Sequence, residues 1–149
     1  MGVGHGVTAV LARHQQDNLF CRGVNVGANP TTDVWPDGRQ SGDMFKNLKA
    51  ELWWKARTRF QRAYEHVVEE VAHDPSDMIA IPRHPALVNQ LSLPRWFRDE
   101  RGKIVMESKQ QLLSRGIRSP DYADAFVLTL AGPIQEDWTG AQLGAGGSA

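Results

Sequence analysis

One cysteine, Cys21, is all that the 149-residue chain contains, so no internal disulfide can form and no cysteine-rich zinc site can be assembled. Its setting beside Val24 and Val26 suits a small buried side chain. Charge of one sign is missing too: seventeen basic side chains face seventeen acidic ones, which neither requires nor excludes a polyanionic partner. No apolar run approaches the length of a membrane span, and the first residues lack the basic start and hydrophobic stretch of a secretion signal. A soluble protein of the cytoplasm, with no membrane partner, is expected. Phosphate-cradling motifs are absent as well: Gly2, Gly4 and Gly6 alternate with Val3 and His5, but neither GxGxxG nor GxxxxGK[ST] occurs. There is no internal repeat.

What is present is one domain's worth of periodic segments. Leu19 to Val26 reads as a short strand, and Ala28 to Gly42 has loop composition, with Asn29-Pro30, Pro36-Asp37-Gly38 and Ser41-Gly42. From Phe45 to Val71, apolar residues recur every three or four positions (Leu48, Leu52, Ala56, Phe60, Ala63, Val67, Val71), which predicts a long packed helix widened by Trp53 and Trp54. Its Lys and Arg residues (Lys46, Lys49, Lys55, Arg57, Arg59, Arg62) encircle the helix, as a solvated surface would have them. His66 and His73 lie seven apart with no close third ligand, which argues against zinc. Met78 to Ile81 is a candidate strand, Pro85 to Leu91 a short helix. Arg95–Arg98 and Lys103–Met106 read as a hairpin turning through Asp99-Glu100-Arg101-Gly102. Gly140 to Ala149, rich in glycine and alanine, is expected to be disordered.

The stretch from Glu107 to Ala131 carries the chemistry. Ser119 is placed to cap a helix with Pro120 in its first position. Ala123, Phe126, Val127, Leu130 and Ala131 would form its buried stripe. Asp121 and Asp124, three apart, then share a face near the positive end of the helix dipole. Two readings stand: first-turn carboxylates that simply favour the helix, or oxygen donors for a hard divalent cation. Between Arg95 and Arg118 lie seven Lys or Arg residues against three acids, a patch that would suit phosphate and equally a mixed solvated surface.

The segments Lys103-Ile-Val-Met-Glu-Ser-Lys109 and Ser114-Arg-Gly-Ile-Arg-Ser-Pro-Asp-Tyr-Ala-Asp-Ala-Phe-Val-Leu-Thr-Leu-Ala131 resemble the end of the nuclease domain of the large terminase subunit of tailed bacteriophages. Met1-Gly-Val-Gly-His-Gly-Val7 resembles its glycine turn, Gly23-Val-Asn-Val-Gly27 its next strand, and Phe45 to Trp54 the opening of its long helix. Pro85 to Gly102 resembles its short helix and hairpin. The likeness runs to about residue 131, leaving 132–149 as a flexible tail.

The resemblance implies an α/β, partial RNase H-like fold: a short sheet, one long helix, a β-hairpin and a C-terminal helix. It also implies descent from DNA-packaging motors whose nuclease cuts concatemeric double-stranded DNA with Mg²⁺ or Mn²⁺. Asp124 matches the acid of the final helix, Asp121 a metal-side or neighbouring position, and Lys109 a lysine near the cleft. Glu107 is a conceivable third ligand, although leaving the strand toward solvent or pairing with a base fits it better. The family's first two carboxylates and its ATPase part have no counterpart. The chain therefore reads as the C-terminal part of such a subunit, from a split or truncated prophage gene. It would be inactive alone and completed by an upstream ATPase-bearing polypeptide, with the portal protein and a second copy of itself as further partners. The alternative is a non-enzymatic DNA-binding or assembly protein derived from the same ancestor.

Overall fold

Among the described residues five helices and one hairpin follow one another: α1 (Ser41–Met44), α2 (Leu48–Val68), α3 (Pro85–Ser92), β1 (Trp96–Arg98), β2 (Ile104–Met106), α4 (Lys109–Ser114) and α5 (Asp121–Leu128), with a 3₁₀ turn at Pro75–Asp77. The computed structural model describes residues 23–132, of which Val24–Ala131 form one unit. The glycine turn expected at Gly2–Gly6, Cys21 and, past Gly132 itself, the tail expected over 132–149 lie outside the described residues.

Helix α2 is the axis of the unit. Asn47 caps it by accepting from the Ala50 amide at 3.0 Å. The Leu48 and Lys49 amides, which have no partner within the helix, donate to the carbonyls of Ala28 and Val26 at 2.9 Å each. Of the strand predicted over Leu19 to Val26, residues 19–22 lie outside the described residues, and Gly23 to Val26 form an irregular segment ending in a turn. Only the first half of the helix is buried, through Ala50, Glu51, Leu52, Trp53 and Ala56. The predicted apolar stripe continues in sequence but not in packing: Val67 is 76% exposed, and the helix stops at Val68. Glu70 then turns the chain with φ 57°, a left-handed conformation uncommon outside glycine.

Two clusters make the core. Leu52, Trp53 and Ala56 pack with Ala123 and Val127 of α5, while Met44, Phe45 and Ala50 pack with Ile104 of β2; Met106 touches both. Aromatic rings extend the second cluster, with Phe45 lying 5.2 Å from Trp35 and 6.3 Å from Trp54 between centroids. On the other side of α2, Phe60 stacks on Phe126 of α5.

The hairpin forms as expected, pairing Trp96 with Met106, Phe97 with Val105 and Arg98 with Ile104. Gly102 supplies the positive φ (77°) of its turn, and Asp99 accepts from the Arg101 and Lys103 amides inside it. Beyond β2, the Lys46 amide donates to the Ile104 carbonyl, so Phe45–Lys46 adds a single parallel bridge to the sheet. Met78–Ile81 is not a strand. Pro82 ends it, and without a neighbour to complete a ladder its β-branched content alone cannot make one.

Helix α4 was not predicted. Ser108 and Gln111 form a reciprocal capping box around its start, a Ser-x-x-Gln signal visible in the sequence. Gly116, at φ 74°, ends it, and the Ile117 amide returns to the Leu112 carbonyl.

Candidate functional site

The capping box at Ser108 makes Lys109 the first residue of α4 and fixes the direction in which its stem leaves the backbone. Its Nζ comes within 3.7 Å of Asp124 Oδ2 on α5. Two of the three predicted site residues, far apart in chain terms, are therefore brought together. The Asp124 side chain is 27% exposed and that of Lys109 63%. At this separation the pair is an electrostatic neighbour contact, longer than a hydrogen bond.

Asp121 stands outside this pair. It is exposed, and its Oδ1 accepts from the Ser119 hydroxyl at 2.6 Å. Ser119 consequently does not cap the helix: Pro120 occupies the cap position without a side-chain bond, and Asp121 is the first helical residue. The capping function is supplied from elsewhere. Gln90 on α3 reaches across with Oε1 and accepts from the amides of Tyr122 at 2.8 Å and Ala123 at 3.2 Å. The ring of His84, whose Nδ1 caps α3 itself through the Leu87 amide, lies 5.0 Å from that of Tyr122. The start of the carboxylate-bearing helix is thus held by a side chain 32 residues upstream.

Glu107 is not a third ligand beside these aspartates. It is only 6% exposed, and its Oε2 accepts from the Arg115 guanidinium and, at 3.1 Å, from the Arg95 amide. The expectation of pairing with a base holds; exposure to solvent does not. The Arg115 hydrogen bond, opposed by burial, holds the Glu107 carboxyl below its ordinary value. A depressed carboxylate stabilises the fold above its unfolded-state value and loses that contribution as pH falls through its folded one. Thermal midpoints measured from neutral pH downward should therefore fall below about pH 5 in the wild type, and Glu107→Gln should flatten that acid limb while lowering the neutral midpoint.

Three of the seven basic side chains of the patch are engaged by the fold. Arg98 donates to the Gly102 carbonyl, Lys103 to that of Gly42 and Arg115 to Glu107. His66 and His73 likewise have structural partners, the Val71 carbonyl and Glu65.

Asp121 and Asp124 have the donor chemistry of a hard divalent cation, oxygen only and partly exposed. Among the described residues, however, no three His, Cys, Asp or Glu side chains come together in a way that could hold a metal ion. These two carboxylates fit part of a metal centre and do not complete one.

Comparison with solved structures bears on the fold. The nuclease domain of the large terminase subunit gp2 of bacterial virus Sf6 superposes with a TM-score of 0.78 at 23% identity, over 89% of this chain and 63% of that one. The chain has the fold of a terminase nuclease domain. A lysine-to-alanine mutant of the same domain, with manganese and beta-thujaplicinol, gives a TM-score of 0.81 at 23% identity and the same coverage. A mutant gp2 nuclease piece with calcium gives 0.76 at 24%, over 89% and 62%. The RNase H-like class expected from the sequence is thus confirmed as a partial fold, spanning about 63% of the length of these terminase nuclease domains. No protein-family profile matches the sequence, and no curated protein does. No helix among the described residues is long and apolar enough to cross a membrane.

Proposed function

We propose that this chain is the C-terminal part of a phage DNA-packaging terminase nuclease, contributing Asp124 and Asp121 to a divalent-ion centre completed by acids from another polypeptide. The observation that carries the reading is the approach of Lys109 to Asp124 on adjoining helix starts, within a fold shared with terminase nuclease domains. Bound Mg²⁺ or Mn²⁺ would supply Lewis acidity toward a phosphodiester of double-stranded DNA. Asp124, partly exposed, is the direct oxygen donor; Asp121, tied to Ser119, acts beside it. Lys109, exposed along most of its length, is long enough to swing between its carboxylate partner and a DNA phosphate. The described residues alone do not supply enough ligands, and in this reading the chain is inactive without the upstream ATPase-bearing polypeptide. The portal protein and a second copy of the chain are the further partners of this reading, a phage or prophage origin its source, and the bacterial cytoplasm its location.

The test is reconstitution. The chain, the polypeptide encoded upstream of it, supercoiled DNA and Mn²⁺ should together give nicked and linear products that neither polypeptide gives alone. DNA binding without cleavage in the mixture would replace this reading with that of a non-enzymatic binding or assembly protein. In the same assay Lys109→Ala should retain or tighten Mn²⁺ binding, because a cation beside Asp124 is removed. It should slow cleavage by about ten- to a hundredfold through lost phosphate neutralisation. An unchanged rate would remove Lys109 from the site.

A further inference from the structure

Away from α4 and α5, a cleft of about 310 Å³ runs between the middle of α2 and the loop that precedes α1. One wall is cationic. Lys55, Arg59 and Arg62 follow at helical spacing and so share a face of α2, which the encircling pattern of basic residues in the sequence conceals. The facing wall is apolar at Val34, Trp35 and Pro36.

The loop wall is built to stay in place. Thr31 donates to the fully buried Glu51 of α2 from its amide at 2.7 Å and its hydroxyl at 2.6 Å. Trp35 donates through Nε1 to Ser41 Oγ at 2.9 Å, with its ring against Phe45. These bonds span the loop from both ends and fix the cleft's width.

The charges in the cleft are arranged unequally. Lys55 pairs with Asp33 at 2.7 Å and with Glu51 at 2.9 Å. Arg62 pairs with Asp77 at 2.8 Å. Arg59, between them and half-buried, has no hydrogen bond, ion pair or ring contact among the described residues. Two cations are neutralised and the central one is left with an unused guanidinium fork, whose geometry matches a carboxylate in bidentate fashion.

From this we infer that the cleft is a docking site for an acidic peptide segment of a partner protein, with one carboxylate on Arg59 and a neighbouring aliphatic side chain against Val34, Trp35 and Pro36. A nucleic-acid strand fits less well. Its successive phosphates would meet Asp33 and Asp77 on either side of the single free cation. The volume, at the lower end of ligand clefts, suits a short peptide stretch. Val34, 65% exposed, leaves the apolar wall accessible. The inference rests on residues separate from the proposed metal site and stands whether or not the chain takes part in cleavage.

Titration calorimetry on the full chain tests it, with three probes: an acetylated, amidated pentapeptide holding one glutamate among leucines, its glutamine counterpart, and a short oligothymidine. The glutamate peptide should bind at least about tenfold more tightly than the glutamine one, the scale of a lost charge-assisted hydrogen bond. Arg59→Gln should abolish that difference with an unchanged thermal midpoint, since Arg59 makes no hydrogen bond or ion pair among the described residues. Val34→Asp, on the opposite wall and exposed, should weaken both peptides, since the leucine that packs there is common to them, and the glutamate peptide the more, since a like charge then faces its carboxylate. Equal affinity for the two peptides, no binding of either, or oligothymidine binding that Arg59→Gln removes would each overturn the assignment.

Discussion

Asp124→Ala should abolish metal-dependent cleavage by the reconstituted nuclease, lowering the rate by on the order of a thousandfold or more. The expectation follows from where the carboxylate sits. Its helix is anchored through Ala123 and Val127, which are buried against α2, while the Asp124 side chain keeps 27% of its surface and has Lys109 as its ion-pair neighbour among the described residues. Truncation therefore removes a donor without opening a cavity, and the variant should fold as the wild type does. Mn²⁺ affinity of the mixture, read by calorimetry, should fall along with the rate. Asp121→Ala should cost less on both counts, because that carboxylate is already engaged by Ser119. Cleavage that survives Asp124→Ala would remove this aspartate from any metal centre.

Phe45→Ala should produce the largest loss of stability. Phe45 is fully buried, lies between the rings of Trp35 and Trp54, and packs on Ile104 of β2. It is also the point where the loop, the long helix and the sheet meet, since its backbone makes the parallel bridge to Ile104. Truncation would leave a cavity lined by large rings that cannot close without moving the hairpin. A cost of about 3–5 kcal/mol is expected, a large fraction of the total stability of a typical domain. Urea unfolding followed by far-ultraviolet circular dichroism would show it as a midpoint shifted far to lower denaturant. A midpoint within error of the wild type would mean that the aromatic cluster does not hold the unit together.

The elements legible in the sequence were those whose signal is local. The long helix followed from three- and four-residue periodicity, the hairpin from β-branched runs around Asp99–Gly102, and α3 from a proline-led apolar stretch. Failures have a common cause. Met78–Ile81 has strand composition, but a strand exists only with a neighbour, and composition says nothing about who is adjacent. The apolar stripe persists in the sequence to Val71, yet full burial stops at Ala56, because beyond it α2 is only partly covered, by Phe126 at Phe60 and by residues 75–80 beside Ala63 and Val67. Glu51 sits among apolar positions and reads as solvent charge, whereas Thr31 and Lys55 satisfy it inside. Helix α4 was legible after all, through Ser108 and Gln111, but its short length hid it. As for the site, Asp124 stood out by its spacing to Asp121 and again by the resemblance, Lys109 by the resemblance alone, and the geometry brings the two together; for Glu107 the sequence suggested a base but not which one, because its partner, Arg115, lies beyond an intervening helix.

The bond from Gln90 to the first amides of α5 has a consequence for how such a domain can be taken apart. A segment cut to contain every acid and base of the carboxylate helix, and nothing before the hairpin, would leave two backbone donors at its head facing solvent or nothing. The smallest portable unit is thus set by an amide that carries no charge and performs no chemistry. Transplanting the acidic helix into another scaffold means carrying α3 with it, or writing a new acceptor in its place.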